Sequence, residues 1–182
     1  MGKVYVFLAD GTEEVEALTA IDLLRRAAVE VVTVSVMGRK QIMSAHRIAI
    51  EADEVYGTSD YTDADMLVLP GGMPGTTHLK EHVALGEVIK KHHADGKYLA
   101  AICAAPSVLG FHGCLVGKKA TCYPGFEEEL KGALTCTDGV IRDGNCITSK
   151  GLGTAIDFSL ELITVLKDAQ TAEKIAKAIQ YR

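Results

Sequence analysis

The first part of the chain alternates between short apolar runs and segments with helical periodicity. Residues 4–9 are almost wholly apolar, which is typical of a strand buried on both faces of a parallel sheet. A turn is predicted at residues 10–12, and the apolar side chains of residues 15–28 then recur at the spacing of a helix. Residues 29–36 are rich in β-branched side chains and predict a second strand. Together these segments predict one β–α–β unit.

The same alternation continues through the middle of the chain. Residues 66–69 and 98–102 predict two more buried strands, and the apolar positions from Leu79 to Ile89 predict one helix between them. Another helix is predicted from Ala104 to Phe111, directly after the second of these strands. Strands and helices that alternate in this way form right-handed crossovers. The pattern therefore predicts the α/β class, with a doubly wound, mostly parallel sheet and helices on both faces.

The remaining segments are less regular. Weak strand signals at residues 42–50 predict a small hairpin. Asp-Gly pairs at residues 138–139 and 143–144 separate short apolar stretches and predict further hairpin pieces. An apolar helical stripe follows at residues 155–165, and Thr171 is then expected to cap a terminal helix.

Composition and charge narrow the classes of function. A chain of 182 residues with 48% hydrophobic residues can bury a substantial core, so residues 1–182 are expected to form one domain. The formal net charge of −5 disfavours a surface that neutralises many phosphates, so nucleic acid is not expected as a partner. The apolar run at residues 4–9 is too short for a secretion signal or a membrane span. We therefore expect a cytoplasmic protein without a membrane partner.

The number and spacing of the cysteines argue against a structural role for them. Five cysteines without a Cys-x-x-Cys pair do not suit a disulfide framework. The six histidines show no zinc-ligand spacing relative to a pair of cysteines. We therefore expect neither a disulfide framework nor a zinc site.

Cys103 lies where a predicted strand passes into a predicted helix. The tight turn at a nucleophile needs small neighbours, and Ala101 and Ala105 meet this need. Pro106 suits the first turn of a helix, where its missing N–H is not required. Unsatisfied N–H groups at a helix start would lower the pKa of the thiol, which makes Cys103 a candidate nucleophile. The alternative is that Cys103 is a small buried apolar residue, as most cysteines are.

Four sequence motifs occur in the order and at the separations of one known family: residues 8–16, 69–72, 101–106 and 148–154. On these motifs the chain resembles the DJ-1/ThiJ/PfpI family over nearly its whole length. The resemblance implies a flavodoxin-like sandwich, a homodimer, and a nucleophilic, oxidation-prone cysteine at Cys103.

The resemblance also implies partners for this cysteine. A glutamate of the first β–α connection hydrogen-bonds the nucleophile in the family, and Glu16 matches it, although taken alone Glu16 could be a solvated charge at a helix start. Burial beside a thiolate would raise the pKa of Glu16 and leave it protonated, able to donate a hydrogen bond. Gly72 and Ala104 match the residues whose N–H groups form an anion pocket, and residues 149–154 are expected to shape its rim.

Two positions depart from the family pattern. Many members carry a histidine near the nucleophile where this chain has Cys122, and peptidase-type members carry one where it has Ala104. A peptidase would therefore lack its usual base. Cys122 could instead form a disulfide with an oxidised Cys103, or it could be a buried apolar residue that points elsewhere. His46 lies in a region where some members place a residue that reaches across the dimer.

Two main hypotheses of function follow from the resemblance. In the first, the protein is a cofactor-free glyoxalase or deglycase in which Cys103 attacks a small reactive carbonyl such as methylglyoxal. Glu16 would move protons, and the N–H groups of Gly72 and Ala104 would hold the oxyanion. In the second, the protein is a redox-sensing stress protein or chaperone that acts through oxidation of Cys103. An intracellular peptidase or amidase is a third and weaker reading, because the histidine is missing.

Overall fold

Strands and helices alternate along most of the chain in the computed structural model, which describes residues 2–181. The strands are β1 (Lys3–Leu8), β2 (Glu30–Ser35), β3 (Gln41–Met43), β4 (Ala49–Glu51), β5 (Glu54–Val55), β6 (Met66–Leu69), β7 (Tyr98–Ile102), β8 (Lys119–Ala120), β9 (Leu134–Thr135), β10 (Val140–Asp143) and β11 (Cys146–Ser149). The helices are α1 (Glu14–Arg26), α2 (Gly75–Glu81), α3 (Val83–Ala94), α4 (Pro106–Phe111), α5 (Ala155–Leu166) and α6 (Ala169–Ala178). Within residues 2–181, none of these helices is both long enough and apolar enough to cross a bilayer.

Seven strands form the central sheet, in the order β10-β11-β7-β6-β1-β2-β5. Neighbouring strands are parallel throughout, except that β10 is antiparallel to β11. From β1 the chain first builds toward β2 and β5, and then returns to add β6 on the other side of β1. Ligands of such sheets bind at this reversal, beyond the carboxyl ends of the strands. The predicted doubly wound, mostly parallel α/β sheet is confirmed.

Helices cover both faces of the sheet because its central strands are apolar on both faces. Residues 4–8 of β1 and all of β6 are buried. One apolar cluster joins the sheet to α1, α5 and α6, and it contains Leu24 and Phe158. A second cluster joins the opposite face to α2, α3 and α4, and it contains Leu85 and Val108. The side chains beyond the strand ends are thus held between two packed layers.

Two helix boundaries away from the site differ from the prediction. The segment from Leu79 to Ile89 belongs to two helices, because α2 ends before His82 and α3 starts after it. Nδ1 of His82 accepts the N–H of Leu85 at 3.1 Å and so caps α3. The predicted cap at Thr171 is wrong. The N-cap of α6 is Asp168, whose carboxylate accepts the N–H of Thr171 at 2.6 Å.

The hairpins are partly as predicted. β3 and β4 are antiparallel and form the hairpin expected within residues 42–50. β10 and β11 are also antiparallel and are joined through the Asp-Gly pair at residues 143–144. β9, however, pairs in parallel with β8, so the Asp-Gly pair at residues 138–139 does not close a hairpin.

Candidate active site

Four connections meet beyond the carboxyl ends of the central strands. They follow β1, β6, β7 and β11. These four strands are neighbours in the sheet, although not all of them are consecutive along the chain. The connection after β1 leads into α1 and brings Glu16, and the one after β6 brings Gly71 and Gly72. The connection after β7 begins with Cys103, and the one after β11 contains Gly151. The motif that contains Cys103 and the other three motifs of the family resemblance therefore meet at the same place.

Cys103 sits on a backbone corner directly after β7. Its φ of 65° lies in the left-handed region, which costs a residue other than glycine about 1–3 kcal/mol. Two backbone hydrogen bonds hold this conformation: the N–H of Cys103 donates to Ser149 at 2.9 Å, and its carbonyl accepts the N–H of Tyr123 at 2.8 Å. The predicted strand-to-helix corner is confirmed, but α4 begins at Pro106 and not at Ala104. The thiol of Cys103 remains half-buried.

Glu16 is buried beside this thiol at the start of α1. Only 1% of Glu16 is exposed, so the alternative of a solvated helix-start charge is wrong. Its Oε2 accepts the N–H of Gly71 at 3.0 Å, and its own N–H donates at 2.8 Å to Glu13, the N-cap of α1. The carboxyl group of Glu16 and the thiol of Cys103 are also close enough to shift each other's pKa. The expected Glu16–Cys103 contact is therefore present.

Glycine at position 71 allows this contact to form. A Cβ atom on Gly71 would lie 2.5 Å from the Cβ of Cys103 and 2.6 Å from Oε2 of Glu16. Both distances are shorter than van der Waals contact, and neither neighbour is the end of a loose surface side chain. The loop after β6 can approach Glu16 and Cys103 this closely because Gly71 has no side chain.

The surroundings of Glu16 favour its protonated form. Burial raises the pKa of this carboxyl group to about 7, and the charge of Glu13 adds to the rise. Hydrogen bonds from Cys103 and from the N–H groups of Gly71 and Leu152 oppose it. The direction expected from the sequence is confirmed, and its main cause is loss of water.

The N–H groups at the corner are not the largest influence on the pKa of Cys103. The pKa of this thiol is raised to about 12, mainly by burial and then by the negative charge of Glu16. The N–H groups of Gly72 and Ala104 lower it, as expected of an anion pocket, but they do not outweigh the nearby carboxylate. The sequence shows the turn, but it does not show the burial of the thiol or the charge of Glu16 that packs against it.

Glu16 and Cys103 therefore lose their two protons in separate steps. Near neutral pH the pair gives up one proton and retains one, because two adjacent buried negative charges repel each other. When Glu16 holds the retained proton, its charge no longer opposes ionisation of the sulfur. The N–H groups of Gly72 and Ala104 then stabilise the thiolate. The arrangement can thus provide a nucleophile and an acid from one shared proton.

Gly151 and Tyr123 form a rim beside the sulfur. A Cβ atom on Gly151 would lie 3.8 Å from Sγ of Cys103, 3.7 Å from Oε1 of Glu16 and 3.4 Å from the ring of Tyr123. Gly151 belongs to the segment expected to shape the rim, but Tyr123 was not singled out from the sequence. Tyr123 could have been suspected from the sequence, because it follows Cys122 in the segment where many relatives have a histidine near the nucleophile.

Cys122 and His46 do not join this pair. Cys122 is 4% exposed and belongs to the apolar cluster on the side of α2, α3 and α4, whereas Cys103 packs against the cluster on the opposite side of the sheet. Burial raises the pKa of Cys122 to about 11, and the charge of Glu127 contributes. Nδ1 of His46 contacts Oε1 of Glu14 at 2.9 Å, and not the cysteine.

A buried glutamate paired with a cysteine at the corner after a central strand defines a class of flavodoxin-like proteins. The sequence profile of the DJ-1/PfpI family matches residues 2–165 of this chain. The chain belongs to the DJ-1/PfpI family, and the resemblance inferred from its motifs is confirmed.

Individual relatives agree with this assignment. Protein DJ-1 homolog B of Arabidopsis thaliana is 39% identical over 99% of this chain, but the chain spans only 42% of that protein. The structure of Toxoplasma gondii DJ-1 in an oxidised form superposes with a TM-score of 0.95 at 38% identity, and the match covers 99% of this chain and 98% of that one. A Caenorhabditis elegans protein named glutathione-independent glyoxalase DJR-1.2 is 28% identical, over 93% of this chain and 91% of its own length.

Proposed function

We propose that this protein is a cysteine-dependent, cofactor-free glyoxalase or deglycase that acts on small reactive carbonyls such as methylglyoxal. The observation that carries the proposal is the buried carboxyl group of Glu16 beside the sulfur of Cys103: a Cβ on Gly151 would lie 3.7 Å from Oε1 of the one and 3.8 Å from Sγ of the other. The N–H groups of Gly72 and Ala104 act on the same sulfur. We call the group formed by Glu16, Gly72, Cys103 and Ala104 the cysteine niche. It brings together a nucleophile, a proton carrier and two oxyanion donors, which an attack on a carbonyl requires. The activity printed in the name of the C. elegans relative points the same way.

The proposed reaction begins with the addition of the Cys103 sulfur to the aldehyde carbon of methylglyoxal. A carbon–sulfur bond forms, and the carbonyl oxygen takes the proton held by Glu16, which gives a hemithioacetal. The N–H groups of Gly72 and Ala104 lie near the sulfur and would stabilise charge on that oxygen during the addition. Glu16 is left as a carboxylate, and so becomes a base.

Glu16 would then move a proton between the two carbons of the bound substrate. It removes the hydrogen of the former aldehyde carbon as a proton, and the electron pair forms the carbon–carbon double bond of an enediolate. The proton of the new hydroxyl group passes to the neighbouring oxygen. Return of the proton to the adjacent carbon gives a thioester of lactate on Cys103. Water hydrolyses this thioester and releases lactate and the thiol. Methylglyoxal and one water thus become lactate, with no external oxidant or reductant.

Formation of lactate from methylglyoxal tests the proposal. The parent protein is expected to produce lactate, and Cys103→Ala is expected to produce none above buffer. Cys136→Ala is the matched control, because Cys136 is also a partly exposed free cysteine but lies outside the niche. Equal rates for the parent and Cys103→Ala would exclude this function, since they would show that the reaction does not need the cysteine.

The second candidate is a redox-sensing stress protein or chaperone that uses the same thiol. The half-buried sulfur of Cys103 faces two N–H donors, which would also bind the oxygens of a sulfinate. The structure of Toxoplasma gondii DJ-1 is described as that of an oxidised protein, and this description applies to that relative. A sensor should oxidise at Cys103 with low peroxide while it turns over methylglyoxal no faster than a free thiol does. Intact mass and peptide mapping after graded peroxide measure the first property.

We also propose that the chain works as a homodimer in the cytoplasm. Exposed apolar side chains on α1 and on the β3–β4 hairpin support this assembly: Val15, Leu18, Met43 and Ile48. Light scattering after size-exclusion chromatography should give twice the monomer mass of 19.4 kDa. Leu18→Glu should shift the mass toward the monomer, and a parent that elutes as a monomer would contradict the proposal.

A further inference from the structure

Three possible metal ligands lie together beside the start of α1, outside the cysteine niche. Nδ1 of His46 is 2.9 Å from Oε1 of Glu14 and 3.8 Å from Oε1 of Glu13. One ligand atom from each of the three residues lies within 4.8 Å of the other two. The donors around a tetrahedral zinc ion are about 3.3 Å apart, so only a small closure would bring them to bonding positions.

The backbone holds the two parts of this cluster in place. Glu13 and Glu14 follow the loop after β1, and His46 lies in the turn between β3 and β4. The N–H of Ala45 donates to the carbonyl of Thr12 at 2.8 Å, immediately beside all three ligands. The cluster is therefore built by a fixed contact between two segments, and not by long side chains that meet by chance on the surface.

The two carboxylates have different tasks. Oε2 of Glu13 is the N-cap acceptor of α1, which leaves Oε1 for the cluster. Glu14 has a side chain only 7% exposed, and its Oε2 is buried without a hydrogen-bond partner. A buried carboxylate oxygen without a partner is costly, and a cation would supply the missing interaction. Glu14 thus keeps a buried oxygen whose capacity to bind a ligand is unused by the protein side chains around it.

Charge at this position also favours a cation. The N-terminus of α1 carries about half a positive charge, which by itself would repel a metal ion. The carboxylates of Glu13 and Glu14 bring two negative charges and outweigh it.

We propose that Glu13, Glu14 and His46 bind a divalent transition-metal ion of the zinc type, with water in the remaining positions. Two carboxylate oxygens and one imidazole nitrogen suit Zn²⁺ or Co²⁺ better than Ca²⁺ or Mg²⁺, which prefer oxygen ligands alone. The site is separate from Cys103, and its existence does not depend on the reaction proposed there.

Metal titrations that do not use activity test this site. Co²⁺ is added to the parent and to Cys103→Ser while the visible spectrum is recorded, and Zn²⁺ affinity is measured by equilibrium dialysis. Binding through carboxylate and imidazole should give weak ligand-field bands without thiolate charge transfer, and should persist in Cys103→Ser. His46→Ala and Glu14→Gln should each weaken Zn²⁺ binding by about tenfold or more. His78→Ala, which alters a histidine of α2 outside the cluster, should bind like the parent.

Two outcomes would overturn the proposal. If His46→Ala binds Zn²⁺ as tightly as the parent, the three residues form an ion pair and not a metal site. If binding disappears in Cys103→Ser, the thiol is the ligand. Circular dichroism of each variant confirms that it is folded, which is expected because the His46 side chain is 70% exposed.

Discussion

The N–H of Gly71 donates to Oε2 of Glu16 at 3.0 Å and leaves no room for a side chain between this bond and the cysteine. The bond anchors the end of the glutamate side chain to the loop after β6, while its backbone belongs to α1. The distance between Glu16 and Cys103 therefore depends on how closely two connections of the sheet approach each other. The absence of a Cβ at position 71 sets that approach.

Gly71→Ala should disturb both stability and the cysteine pair. Its Cβ would lie within 2.6 Å of Glu16 and 2.5 Å of Cys103, and the overpacking should cost about 1–3 kcal/mol of the free energy of unfolding. The displaced carboxyl group should also change the alkylation rate of Cys103. Gly153→Ala is the control, because nothing lies within 4 Å of a Cβ at that position. Urea unfolding and iodoacetamide labelling measure the two effects, and equal results for the two variants would contradict the steric argument.

The pH dependence of alkylation should report the shared proton. The pair loses its first proton near the pKa of Glu16, about 7, and only the singly protonated pair contains a thiolate beside a neutral acid. The alkylation rate of Cys103 should therefore rise with pH through an inflection near 7, measured by peptide mapping in the presence of a chelator. In Glu16→Gln the first proton must come from the buried thiol itself, so the inflection should move upward. An inflection at or above about 9 in the parent would contradict the shared-proton account.

The fold was more predictable from the sequence than the electrostatics of the site. All-apolar runs such as residues 66–69 identify strands buried on both faces without knowledge of their neighbours. β5 was missed because it has only two residues, Glu54 and Val55, and no apolar pattern. The corner at Cys103 followed from its small neighbours, which are local in sequence. The pKa of its thiol did not, because burial and the charge of Glu16 come from elements distant along the chain.

Burial of Glu16 should make the stability of the protein depend on pH. Its pKa in the folded protein, about 7, is above the ordinary value of 4.5, so the folded state binds this proton more tightly than the unfolded state. The contribution is fully present below pH 4.5 and is lost as the pH rises to about 7. The loss is on the order of 3 kcal/mol. Relative to the parent, Glu16→Gln should therefore gain stability between pH 4.5 and pH 7.5, measured by urea unfolding. A difference that stays constant over this range would show that the carboxyl group is not desolvated.

Oxidation of Cys103 should not produce a disulfide with Cys122. The backbones of the two segments touch, since the N–H of Tyr123 donates to the carbonyl of Cys103 at 2.8 Å. The side chains nevertheless pack into apolar clusters on opposite sides of the sheet. A disulfide needs Cβ atoms that converge, and packing into different clusters disfavours this. Mild peroxide followed by non-reducing peptide mapping should give sulfinate on Cys103 with Cys122 unchanged, and Cys122→Ser should oxidise at the same rate as the parent. A crosslinked peptide that contains both residues would instead make Cys122 a resolving thiol, and would require the segment around Tyr123 to rearrange during oxidation.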